Sequence, residues 1–294
     1  MDSQTYKQRI TGHTELIGLI AKPIRHSKSP MMHNTAFEAL GLDYAYLVFE
    51  VDEKNLKTAV EGLRALDVRG FNVSMPHKSA IIPYLDELLP AAQLCGAVNT
   101  VINDHGRFIG TSTDGEGFMT ACREAGFDLA GKKVTLLGAG GAGTSIAMQA
   151  GLDGVRELSI FNRNDRFWQR AVENGEKLNA KTACKTSVYP LEDVERLQKE
   201  IDASDMLINA TSAGFGEQIA LSPIPETILL RSDLVVTDAI YMPVKTVLLE
   251  RAEKAGCRIM NGLGMMLYQG AAAFKLWTGK DMPIEIVKEV LHEK

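Results

Sequence analysis

The chain has little of what marks several protein classes. It holds only four cysteines in 294 residues, Cys95, Cys122, Cys184 and Cys257, and no two form a CxxC pair. That spacing argues against a metal site or a disulfide framework and for buried free thiols in a reducing cytoplasm. No uninterrupted apolar run reaches the ~18 residues of a membrane span, so no membrane partner is expected. The opening MDSQTYKQRITGHTE is polar, without a charged head followed by an apolar stretch, and reads as no signal peptide. An excess of one charge is missing too: 37 acidic and 32 basic residues leave −5, spread without long runs. That balance favours solubility and gives no electrostatic footprint for nucleic acid. Low-complexity segments and internal repeats of about 20–50 residues are also absent.

What is present describes a globular chain of about two domains. Strand-like and helix-like segments alternate in the first hundred residues. Residues 15–21 (ELIGLIA), 44–50 (YAYLVFE), 68–74 and 97–103 (AVNTVIN) read as strands. Between them, 30–40 (PMMHNTAFEAL) reads as a helix with proline in its first turn, and 53–66 has apolar residues at helical spacing. A second unit begins near Asp128, with strands expected at 133–137, 158–162, 206–209, 234–238 and 257–260. The alternation predicts an α/β fold with mainly parallel sheets. In the tail 283–292, Ile284, Val287, Val290 and Leu291 share one helical face and predict docking.

The run GAGGAG at 138–143 follows the strand KVTLL and precedes a helix-forming stretch, TSIAMQA. It fits G-x-G-x-x-G at Gly138, Gly140 and Gly143. The first glycine permits a tight turn, the second lets backbone approach a pyrophosphate, and the third lets helix and strand pack closely. A helix N-terminus there offers N–H groups to the diphosphate. A merely structural glycine turn is the bland alternative. About 20 residues on, where an acid usually takes the ribose hydroxyls, stand Asn162, Arg163, Asn164 and Asp165. Arg163 suits an adenine face or a 2′-phosphate, whereas Asp165 suits ribose hydroxyls or simply caps a helix starting near Arg166. The stretch favours NAD and leaves room for NADP.

Three polar clusters lie in or beside the first unit. GFNVSMPHK (70–78) starts as a buried strand and ends in polar side chains. HSKSP (26–30) offers Ser27 and Ser29, with helix capping as the plain role of Ser29. TSTDG (111–115) sets Asp114 before a glycine, where an N-cap is the plain reading. Asn99, expected within a strand, needs a partner there. Together they suit a small polyhydroxylated ligand.

With those residues in view, the chain resembles the shikimate dehydrogenase family, specifically its quinate/shikimate dehydrogenase branch. The matching stretches are PIRHSKSP (23–30), GFNVSMPHK, GAVNT (96–100), TDGEG (113–117), LLGAGGAG (136–143), FNR (161–163), NAT (209–211), DAIYMPVKT (238–246) and NGLGMMLYQGAAAFKLWTG (261–279). The resemblance implies a substrate-binding catalytic domain, 1–114 completed by 263–294, and a Rossmann-like NAD(P)-binding domain, 115–262. It implies reversible interconversion of shikimate and 3-dehydroshikimate, with quinate as a further substrate, and NAD preferred over NADP. A homodimer is its candidate assembly. Lys78 and Asp114 resemble the catalytic pair. Ser27, Ser29, Tyr46, Ser74, Asn99, Thr113 and Gln269 resemble the substrate-binding set. Gly138, Ala139, Gly140, Gly141, Ala142, Gly143, Asn162, Arg163, Asp165, Thr211, Tyr241, Gly262 and Met265 resemble the cofactor-binding set. Three departures stand out. Ser74 replaces the Thr of many shikimate-only members, NRND replaces the Asn-Arg-Thr of NADP-dependent ones, and Phe215 replaces a usual Met before a short loop. The alternatives are a family member acting on another cyclic hydroxyacid, such as an amino analogue, or a non-catalytic nucleotide-sensing protein.

Overall fold

Hydrophobic alternation and glycine turns build two sheets, each in its own compact unit. The computed structural model describes residues 10–292, so the first nine residues of the polar amino-terminal stretch lie outside it. One unit comprises Met1–Thr111 with Gly270–Lys294, and the other Ser112–Gln269. These divisions fall a few residues from the expected 114/115 and 262/263. The reason is local: a Cβ on Gly117 would lie 2.4 Å from the backbone N of Gln269. The first two turns of the helix Leu263–Thr278 therefore lie against the helix Asp114–Glu124.

The first unit has a six-stranded sheet. Its strands are β1 (Glu15–Ala21), β2 (Tyr44–Glu50), β3 (Gly70–Val73), β4 (Glu87–Leu88), β5 (Thr100–Asp104) and β6 (Arg107–Thr111), in the order β2-β1-β3-β5-β6-β4. β1 pairs parallel to β2 and β3, and β4 to β6, while β5 pairs antiparallel to β3 and β6. Register sorts the side chains, because successive residues face opposite sides. Ile20, Phe71, Val73, Val101 and Phe108 join Leu56, Val60 and Leu63 of the helix Leu56–Ala65 in an aliphatic core. Tyr46, Gly70, Asn72 and Thr100 share the other face through Ile17↔Tyr46, Ile17↔Gly70 and Asn72↔Thr100. Trp277 docks there. A Cβ on Gly70 would lie 2.3 Å from its Nε1, which donates to the Val101 carbonyl at 3.0 Å. The tail helix Ile284–His292 packs against Ser29–Ala39, as its apolar face predicts.

The second unit is parallel throughout. Its strands are β7 (Lys133–Leu137), β8 (Glu157–Asn162), β9 (Lys185–Pro190), β10 (Met206–Asn209), β11 (Val235–Asp238) and β12 (Arg258–Met260), in the order β12-β11-β10-β7-β8-β9. The strand order reverses between β7 and β10, so the crevice at the carboxyl ends of those two strands is where this sheet type takes a ligand. Every residue of β7 is buried, as befits a parallel strand covered on both faces. Leu137, Phe161, Leu197, Ile201, Leu207, Val236 and Leu248 are among the residues of one core. All four cysteines are buried and free, and burial pushes the Cys122 thiol up to about 12. Among the described residues no helix is long and apolar enough to cross a membrane.

Candidate active site

In the first unit the site grows from the end of β3. Asn72 is almost fully buried, where an unpaired amide would be costly. It is fully engaged: Oδ1 accepts from the Tyr46 hydroxyl at 2.7 Å, and Nδ2 donates to the Asn99 carbonyl at 2.9 Å and Thr100 Oγ1 at 3.1 Å. Tyr46 has no exposed surface, and burial holds its phenol protonated far above the ordinary range against an opposing hydrogen bond from Ser29. The Tyr46 hydroxyl thus serves Asn72 and Ser29. Ser27 Oγ accepts from Ser29 N at 3.2 Å, so the entry to the helix Ser29–Ala39 is held by Ser27 rather than capped by Ser29. Asn99 lies just before β5, not within a strand. Its carbonyl takes Val73 N at 2.8 Å, and its Oδ1 accepts from Thr100 Oγ1 at 3.0 Å.

After Val73 the chain turns. Ser74 is half-buried, and its carbonyl takes His77 N at 2.9 Å, starting the short helix His77–Ala80. Lys78 in that helix is half-buried, and its carbonyl accepts from Val98 N at 2.8 Å, anchoring the backbone below the ammonium. His77 is buried and donates through Nε2 to the Val51 carbonyl at 2.7 Å. Sequence reasoning missed Asn72, although a polar residue inside a buried strand was a usable signal. His33 was also missed. It is fully buried, its ring stacks on Tyr46 at 4.4 Å, neither nitrogen finds a partner among the described residues, and burial pushes it down to about 3.

In the second unit the glycine turn has the geometry its sequence predicts. Gly138 sits at φ +95°, a left-handed conformation that favours glycine, and its N–H donates to the Phe161 carbonyl at 2.8 Å. A Cβ on Gly143 would lie 2.0 Å from the Gly138 carbonyl oxygen, so the third glycine permits close helix–strand packing. A Cβ on Gly140 or Gly141 would meet nothing within 4 Å, leaving the outer edge of the turn open. The helix begins at Gly141 rather than Thr144, so Gly141, Ala142 and Gly143 form its first turn. This open backbone edge at a helix N-terminus fits a dinucleotide diphosphate.

Asn162 takes a supporting position. Its Oδ1 accepts from Ala139 N at 2.9 Å, and its Nδ2 donates to the Arg163 carbonyl at 2.7 Å and Asp165 Oδ1 at 3.1 Å. The residue expected at the ribose thus steadies the glycine turn. Asp165 Oδ1 also accepts from Phe167 N at 2.8 Å, ahead of the helix Trp168–Lys181. Its local turn role is therefore real, while Asp165, Arg163 and Arg166 all remain exposed. Thr211 follows β10, and its N and Oγ1 donate to Asn209 Oδ1 at 3.0 and 2.7 Å. Tyr241 lies in the loop after β11, where burial raises its pKa. Gly262 N donates to the Ile240 carbonyl at 2.9 Å, and Met265 is buried one helical turn on.

Thr113, Asp114 and Gln269 also belong to this unit. Asp114 is not the cap but the first residue of the helix Asp114–Glu124, with its acid at the positive helix end. The glycines of TDGEG are packing positions: a Cβ on Gly115 would lie 2.3 Å from the Ser145 carbonyl, and Gly117 meets Gln269. Close helix packing thus brings Thr113, Asp114 and Gln269 into one neighbourhood.

A six-stranded parallel sheet with a glycine turn at its strand-order reversal is a Rossmann-like NAD(P)-binding unit, here joined to a second α/β unit. Family models agree on both. "Shikimate dehydrogenase substrate binding domain" matches 19–101, "Shikimate / quinate 5-dehydrogenase" matches 120–216, and "Shikimate 5'-dehydrogenase C-terminal domain" matches 262–292. A shikimate dehydrogenase (NADP(+)) of Listeria monocytogenes serotype 4b (strain F2365) is 57% identical over 284 residues, covering 97% of this chain and 98% of its own length. A second, from Streptococcus uberis, is 53% identical over 287 residues, with 97% of each chain covered. A crystal structure of shikimate 5-dehydrogenase from Listeria monocytogenes, in complex with shikimate and NAD, matches with TM-score 0.93 and 57% identity over 97% of this chain and 98% of that one. The chain belongs to the shikimate dehydrogenase family.

Proposed function

We propose that this chain catalyses the reversible NAD(P)-dependent interconversion of shikimate and 3-dehydroshikimate. The observation that carries this reading is the open glycine turn at the head of a parallel sheet, in a chain 57% identical to a named shikimate dehydrogenase. The first unit, with the Asn72 hub and the Ser27–Ser29 turn, is the substrate unit; the second is the nucleotide unit. Ser27, Ser29, Ser74, Asn99, Thr113 and Gln269 hold the ring hydroxyls and carboxylate, with Tyr46 and Asn72 keeping Ser29 and the Asn99 backbone in place. The glycine turn, Arg163, Asp165, Thr211, Tyr241, Gly262 and Met265 hold the dinucleotide, which when bound accepts or returns a hydride. Lys78 moves the proton at the reacting oxygen and stabilises charge developing there, with Asp114 as the other member of the catalytic pair. Such general acid–base help is worth ~10²–10⁴ in rate.

Quinate is a further substrate on this reading, because Ser74 is smaller than threonine and leaves space for an additional hydroxyl. For the nucleotide, both forms are accepted, and the preference for NAD rests on Asp165, whose exposed carboxylate repels a 2′-phosphate. Exposed Arg163 and Arg166 pull the other way. Absorbance at 340 nm with shikimate or quinate and each nucleotide tests the reading. Reduction with shikimate is expected with both nucleotides, and reduction with neither acid would overturn it.

A further inference from the structure

We propose that Asp238 is a positioning residue for dinucleotide binding, its buried carboxylate tying the loop after β10 to the loop after β11 so that Thr211 is fixed against the glycine turn. The proposal rests on the dinucleotide reading of the second unit. Asp238 closes β11 and has no exposed surface, so it does not touch the nucleotide. Oδ2 accepts from Asn209 Nδ2 at 3.0 Å and Thr246 Oγ1 at 2.8 Å, while Oδ1 accepts from Ile240 N at 3.0 Å. Three donors from three segments converge on one acid.

Two chains of contacts run outward from it. On one side Asn209 presents Oδ1 to both donors of Thr211 and donates from Nδ2 to the Ala213 carbonyl at 3.2 Å. The Thr211 methyl then lies 2.9 Å from where a Gly138 Cβ would stand, at the head of the glycine turn. On the other side Ile240, pinned by Asp238, accepts from Gly262 N, and a Cβ on Gly262 would lie 2.1 Å from the Ala239 carbonyl oxygen. Tyr241 and Gly262 therefore hang from the same carboxylate as Thr211. Only an acid accepts in every direction this junction requires. An amide of equal size turns an NH2 toward at least one donor.

The test compares Asp238→Asn, Thr246→Val and Thr246→Ser in the full chain, well below the unfolding temperature. NADP+ and NAD+ binding is measured by calorimetry without shikimate, beside unfolding curves and kinetics. Asp238→Asn is expected to weaken both nucleotides about tenfold, raising their KM by the same factor and leaving shikimate KM within about twofold. Thr246→Val should weaken them about threefold or more, and Thr246→Ser, which keeps the hydroxyl, should restore affinity. Folded Asp238→Asn and Thr246→Val proteins that bind both nucleotides as the parent does would overturn the proposal, even if they melt earlier. If Asp238→Asn does not fold, the Thr246 pair decides. A parent protein that binds neither nucleotide would sink the dinucleotide reading itself.

Discussion

The carboxyl ends of β3 and β7 make an instructive pair. At the end of β3 the features are side chains: Asn72, Ser74 and Lys78, backed by Tyr46 and Thr100 on neighbouring strands. At the end of β7 they are backbone: Gly138 at positive φ and Gly143 against the Gly138 carbonyl make the turn possible, while Gly140 and Gly141 leave its edge open. The first arrangement suits a ligand recognised by its individual hydroxyls, where each donor and acceptor must match. The second suits a diphosphate, recognised by N–H groups that any backbone carries. Their support differs likewise. The Asn72 hub leans on a wall of His33, Phe37, Phe274 and Trp277, whereas the glycine turn leans on Asn162, Asn209 and Asp238.

The largest expected effect separates chemistry from packing. Lys78→Ala should lower kcat by ~10²–10⁴ while circular dichroism and the melting temperature stay near the parent's. An unchanged kcat would remove Lys78 from the reaction.

His33 gives the first unit a pH dependence. The folded ring titrates near 3 against an ordinary 6.5, so between those values the unfolded chain binds a proton that the folded chain refuses. Its stability contribution is complete above about pH 6.5 and is lost progressively as pH falls toward 3, by several kcal/mol on the order of the shift. Urea unfolding from pH 7.5 to 4.5 should show this slope, and His33→Phe should flatten it. An identical slope in the variant would place the titration elsewhere.

Two alanine substitutions sharpen the comparison directly. Gly143→Ala forces a methyl to 2.0 Å from a backbone oxygen, and Gly70→Ala forces one to 2.3 Å from the Trp277 indole. Each should cost about 1–3 kcal/mol or more in chemical denaturation. Gly143→Ala should also weaken NAD(P), whereas Gly70→Ala should leave nucleotide affinity intact. Equal nucleotide losses in both would mean that the two regions are not independent. The smallest effect concerns Asp165→Ala, which should shift the NAD/NADP preference toward NADP by about tenfold through lost repulsion of the 2′-phosphate. Equal changes in both Kd values would leave Asp165 its bonds to Phe167 and Asn162.

Much of this was legible because it is local. The glycine spacing after KVTLL and the apolar stripe of the last helix follow from short-range sterics and periodicity. β6 was not legible: its hairpin with β5 turns through His105 and Gly106, both at positive φ, without the Asn-Gly or Asp-Gly signal. β9 hid in a half-polar edge segment ending in Pro190. The role of Asn72 was hidden too, since its partners stand 26 to 28 positions away.

By itself the sequence determined the α/β class, the dinucleotide turn and the set of residue types available for chemistry, because each is encoded within a few consecutive positions. Tertiary structure alone decided that the Tyr46 hydroxyl donates to Asn72, that Asn162 steadies the turn, and that Asp238 gathers three segments. Those outcomes depend on which side chains strand register brings level and on how deeply burial forces each polar atom to find a partner.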